Sequence, residues 1–175
     1  MKKVSFTEIK YGTKEDYLLL EKHEKYFERE TADRILKFMS NLNNTLEGYQ
    51  VSRLEHSLQT ATRAFKNGEN DEMVVASLLH DIGDEFAPMN HSQYAAAVLR
   101  PYVSEKTYWI IEKHGLFQTY YSAEHLGGDK NAREKYFQES LSIIIKLLFY
   151  SLLCVLEYVY FFHTYNDCPF FLYIY

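Results

Sequence analysis

Apolar residues at steps of three and four are the feature that most restricts what this chain can become. Between Val51 and Lys66 they are Val51, Leu54, Leu58, Ala61 and Phe65, one stripe of an amphipathic helix. Ile35, Leu36, Phe38 and Met39 form a shorter stripe, capped by Thr31 or Asp33. No segment alternates with period two for long, and no repeat is visible. The expected class is all-α, a helix bundle. Thr13 followed by Glu15 and Asp16 marks another helix start, from which Leu18, Leu19, Tyr26 and Phe27 are kept for burial. Asp71–Leu79 forms a helix ending at His80-Asp81, after a break whose Gly68 suits a helix C-terminal cap. Asn90 is expected to cap a helix from His91 to Leu99. Ser104 caps one that ends at His114-Gly115, and a separate aromatic helical segment follows over Leu116–Leu126.

The chain has 175 residues, enough for one domain, and 47% of them are hydrophobic, enough for a sizeable core. A net charge of −5 argues against general nucleic-acid binding. Two lysines at the start without an apolar stretch behind them do not make a secretory leader. Cys154 and Cys168 form neither a disulfide framework nor a zinc pattern, so the expected setting is reducing and cytoplasmic.

Chemistry concentrates in one window of 59 residues holding His56, His80, His91 and His114, with Asp81 directly after His80. Each histidine stands at a helix end or on a helix with an apolar opposite face, so a bundle can aim all four at one point. Imidazole with carboxylate suits iron, manganese, cobalt or zinc. Adjacent His and Asp at a helix end can send two ligands into one cavity, where the short carboxylate can bridge two metals. Two metals can acidify a water and clamp a phosphoryl oxygen. With iron, open positions can instead take a bidentate substrate and dioxygen. His23, His125 and His163 are read as hydrogen-bonded core residues.

The runs GYQVSRLEHSLQTATRA, VVASLLHDIGD and NHSQYAAAVLRPYVSEKTYWIIEKHGLFQ resemble the HD-domain superfamily over about 46–136. The likeness is greatest to a subgroup labelled as predicted phosphohydrolases, related to the diiron oxygenases that act on inositol and phosphonates. The resemblance implies an HD-domain helical bundle. It also implies a metal set of His56, His80, Asp81, His91 and His114, with Asp81 bridging two divalent ions, iron or manganese. Tyr49 matches a loop that covers the metal in oxygenase relatives. Asp84 is a candidate base or orienting group, and Asp81, Tyr49 and Asp84 form the catalytic candidates. Lys113 and Gln118 beside the last histidine, and Lys130 and Arg133 in GGDKNAREKY, are candidates for a small phosphorylated or polar substrate. HDIGD lacks the lysine of inositol-cleaving members, and Gln118 stands where phosphonate oxygenases tend to carry lysine.

The expected organisation is an N-terminal helical extension over 1–45, an HD core over 46–137 and an atypical apolar tail over 138–175. Family members close the site with an Asp on a later helix. Here only Glu157 and Asp167 follow Glu139 as acids, and neither aligns; Asp129 reads as structural. The tail has three readings. It is a helix completing the bundle, a membrane anchor through 143–162, or the translation of AT-rich noncoding sequence after a frameshift or retained intron. Lys146 and Glu157 weigh against the anchor. The resulting functional expectations are a dinuclear phosphohydrolase, a diiron oxygenase, or a degenerate, non-catalytic HD-domain protein lacking its last ligand.

Overall fold

A computed structural model describes residues 2–44 and 47–136. The tail, with Glu157, Asp167 and His163, lies outside the described residues, as does the expected span 143–162. Among the described residues there are six α-helices and no strands, as the apolar spacing requires. None of these helices is long and apolar enough to cross a membrane. They fall into two compact units divided between Phe38 and Met39.

In the first unit, α1 (Lys14–Arg29) starts at a capping box: the Thr13 hydroxyl accepts from the Asp16 amide, and the Asp16 side chain accepts from the Thr13 amide. The Asp16 carboxylate also accepts from the amide and hydroxyl of Ser5, both at 2.8 Å, and from the Thr13 hydroxyl at 2.8 Å. Asp16 is the residue that α1 buries. Leu18, Tyr26 and Phe27, expected to be buried, are exposed, because the helix closes on a polar anchor and not on its apolar stripe. His23, expected in the core, is also exposed, between Lys22 and Glu24.

The hydrogen bonds to Asp16, that from the Ser5 amide first, hold its carboxyl far below the ordinary value of 3.8. A lowered carboxyl stabilises the folded form above the unfolded value, and this stabilisation is lost as pH falls through the folded one. Acidification below 3.8 should therefore loosen residues 4–17, read as faster exchange of the Ser5 and Thr13 amides. Asp16→Asn should flatten that pH dependence, and an unchanged slope would rule this origin out.

In the second unit, α3 (Arg53–Lys66) packs on α4 (Asp71–Leu79), α5 (His91–Leu99) on α6 (Glu105–Ser122), and α4 on α6. Short α2 (Thr31–Met39) precedes it. Leu54, Leu58 and Ala61 meet a core that includes Val74, Leu78, Ile82, Leu99, Ile110, Ile111 and Phe117. Each large side chain fully enclosed there contributes about 1.5–3 kcal/mol. Ser52, not foreseen as a cap, forms a capping box with Glu55 at the start of α3. Asn70 and Ser104 cap α4 and α6, and Glu72 accepts from both the Ser104 amide (3.0 Å) and hydroxyl (2.6 Å), tying the starts of these two helices together. Gly68 adopts φ +76° just beyond α3, the cap expected of it.

Two expectations are corrected. Asn90 makes no side-chain cap to α5; a 3-10 turn over Pro88–Asn90 leads in instead. The helix containing His114 does not end at Gly115 but continues to Ser122. A glycine inside a helix costs about 1 kcal/mol relative to alanine. Here it clears space, since a Cβ at Gly115 would stand 2.6 Å from Ser92 Oγ on α5.

Candidate metal centre

Three helix termini and one helix interior bring the site together. His56 lies one turn into α3, His80 and Asp81 follow the end of α4, His91 opens α5, and His114 sits midway along α6. His80, Asp81 and His114 are almost fully enclosed, whereas the His91 side chain is 24% exposed.

The carboxylate of Asp81 divides these histidines into two pairs. Its Oδ2 is 3.2 Å from His56 Nε2 and 3.2 Å from His80 Nε2, and those nitrogens are 3.1 Å apart. Its Oδ1 is 3.2 Å from His114 Nε2 and 3.6 Å from His91 Nε2, with those nitrogens 3.2 Å apart. Each carboxylate oxygen thus completes a triangle of donors with its own histidine pair, and each triangle can hold a metal ion. Donors about 2.0–2.2 Å from a divalent ion stand about 2.8–3.6 Å apart between octahedral and tetrahedral shells, the range in which the edges of both triangles fall.

Proton placement supports the same fit. His80 Nδ1 donates to the Ser77 carbonyl at 2.8 Å, and His114 Nδ1 to the Ile111 carbonyl at 2.7 Å. A carbonyl only accepts, so both Nδ1 atoms carry a proton, and each ring turns its Nε2 towards Asp81. An Nε2 held 3.2 Å from a carboxylate oxygen calls for a cation between the two, either a proton or a metal ion. Burial raises the Asp81 carboxyl, but the charge of His80 and the contacts with His114, His56 and His80 outweigh it and hold the group well below the ordinary range. Asp81 is an anion in this setting.

Around the triangles lies a polar layer. Arg53, one turn before His56 on α3, places Nε 2.7 Å from Asp84 Oδ2 and a terminal nitrogen 3.5 Å from Asp81 Oδ2. Its guanidinium lies 4.4 Å from the centre of the exposed Tyr49 ring. Asp84 Oδ1 is 3.5 Å from His91 Nδ1. Burial first, and then the charge of Asp81, raise the Asp84 carboxyl against the pull of Arg53. Arg53 was not singled out in the sequence. The available signal was its place three residues before His56, which puts both on one helix face.

Gly83 makes the approach of His91 possible: a Cβ there would stand 2.5 Å from the His91 carbonyl oxygen and 2.8 Å from its Cα.

Lys113 pairs with its neighbour Glu112 at 2.8 Å and Lys130 with Glu124 at 2.8 Å. The Arg133 guanidinium lies 3.6 Å from the Tyr120 ring centre. Gln118 is half-buried on α6. Asp129 accepts from the Asn131 amide at 2.8 Å in an exposed turn, consistent with a structural part. His125, expected in the core, is exposed in the 3-10 turn over Ala123–Leu126.

A family model described as HD domain matches residues 53–146, more than half of the chain. No curated protein matches it.

Proposed function

The chain belongs to the HD-domain family, and from that premise we propose that it is a dinuclear metal-dependent phosphohydrolase acting on a small phosphorylated compound. One observation carries the reading: the two oxygens of a single buried carboxylate each face a separate pair of imidazole nitrogens. His56, His80 and Asp81 Oδ2 would hold one ion, and His91, His114 and Asp81 Oδ1 the other, with iron or manganese suited to such donors. When bound, two divalent ions acidify a water and neutralise charge on a phosphoryl oxygen.

The protein's own groups supply the rest. Three donors for each ion leave positions open for water and substrate, the pattern of catalytic rather than structural sites. Asp81, Asp84 and Arg53 sum to one negative charge, so two divalent ions leave a net positive centre, which favours an anionic substrate. The backbone carbonyls of Ser77 and Ile111 keep the protons of His80 and His114 on the nitrogens turned away from the centre.

The test is elemental analysis of protein purified without oxygen, with phosphate release measured beside it on a panel of phosphomonoesters. About two ions per chain, falling to about one in His80→Ala with loss of phosphate release, is the expected result. No metal in the wild-type chain would leave the degenerate, non-catalytic reading in its place. A diiron oxygenase is the second reading, favoured by Tyr49, whose ring lies against Arg53 beside the cluster. Dioxygen uptake by the iron-loaded protein, with no phosphate release, would select it.

A further inference from the structure

His80 and His114 take their orientation from the backbone: each donates Nδ1–H to the carbonyl three residues earlier in its own helical segment. His91 cannot do this. It is the first residue of α5, and the residue three before it is Pro88, in the preceding 3-10 turn. No α-helical turn stands behind it. The group that faces its Nδ1 is instead the Asp84 carboxylate, at 3.5 Å. Asp84 is held in turn by Arg53, whose Nε is 2.7 Å from the other carboxylate oxygen.

We propose that Asp84, gripped by Arg53, is a positioning residue that directs Nε2 of His91 into the centre and thereby sets the affinity of the ion shared by His91 and His114. The inference rests on the dinuclear reading above. The Asp84 carboxylate keeps the His91 proton on Nδ1 and stops the ring from turning out through the side of the site where it is 24% exposed. Arg53 serves both halves, since the same guanidinium also reaches Asp81. In the other half, His80 takes its orientation from the Ser77 carbonyl and not from Asp84.

Zinc, which is diamagnetic, is the probe. In wild-type protein titrated with zinc, two equivalents should bind. Long-range proton–nitrogen spectra should show His91 protonated at Nδ1 and metal-ligated through Nε2. Asp84→Ala should weaken one equivalent about 10–100-fold, the range for loss of a partner behind a metal-bound histidine, and leave the other near its wild-type affinity. Asp84→Asn keeps an acceptor oxygen and should recover most of the loss. Two equivalents bound by Asp84→Ala as tightly as by wild type would overturn the positioning role alone, and so would an equal fall in both. The opposite tautomer of His91 in the wild-type spectrum overturns it without recourse to any variant. A wild-type chain that binds no zinc would overturn this inference and the dinuclear reading together.

Discussion

Asp81→Ala should remove metal from both halves of the centre at once, whereas His114→Ala should remove it from one. The asymmetry follows from the geometry. His114 belongs only to the triangle built on Oδ1, but Asp81 contributes an oxygen to each. The alanine variant would also delete the charge that would offset two cations in an enclosed space, where an unbalanced charge is costly. Elemental analysis should give about two ions for wild type, about one for His114→Ala and close to none for Asp81→Ala. If the ions provide several kcal/mol of transition-state stabilisation, phosphate release should fall at least about 10³-fold in Asp81→Ala. Retention of one full equivalent by Asp81→Ala would mean that the carboxylate does not bridge.

Gly83→Ala should be the most damaging single-methyl change in the second unit. The added carbon meets the His91 carbonyl oxygen, Cα and carbonyl carbon at 2.5, 2.8 and 3.0 Å. These are backbone atoms and cannot rotate aside, so either the turn after Asp81 or the start of α5 must move. Overpacking of this kind costs about 1–3 kcal/mol, or several degrees in thermal midpoint for a domain of this size. His91 rides on the displaced backbone, so the equivalent of metal it shares should weaken more than the other. Gly115→Ala is the natural comparison. Its nearest neighbour is the Ser92 hydroxyl at 2.6 Å, a side chain that can turn away, and the loss should be smaller. Equal midpoints for Gly83→Ala and wild type would show that the close approach is not a constraint.

The helices of the second unit were legible because burial imposes a period, and Leu54, Leu58 and Ala61 occupy core positions that the period assigns. The convergence of His56, His80, Asp81, His91 and His114 was also legible, as an ordered set of ligand types at helix ends. Arg53 was not. A charged residue at the first position of a helix ordinarily points to water, and only the folded turn after α4 supplies the two carboxylates that draw it inward. Gly115 was read as a helix end because glycine commonly is one. The requirement it meets comes from Ser92 on another helix, which no local pattern encodes. The exposed stripe of α1 failed for the opposite reason: its period is helical, but period alone does not say what, if anything, covers a face. Lys113, Lys130 and Arg133 were chosen for their charge, and their partners Glu112, Glu124 and Tyr120 were equally visible. Charge at a suggestive place in the chain says little about where a flexible side chain settles.

The carbonyls that orient His80 and His114 belong to Ser77 and Ile111, and every residue type other than the one present would offer the same oxygen. The electronic state of these two imidazoles is therefore insulated from mutational drift at the positions that set it. Substitutions at 77 and 111 are screened by the space available in a packed interior, not by metal chemistry, so long as the helix persists. His91 has no such insulation, since its partner is a side chain. If Asp84 positions His91 as proposed, the half of the centre built on His91 is the one that, in a lineage of such proteins, a single nucleotide change at codon 84 would loosen or retune.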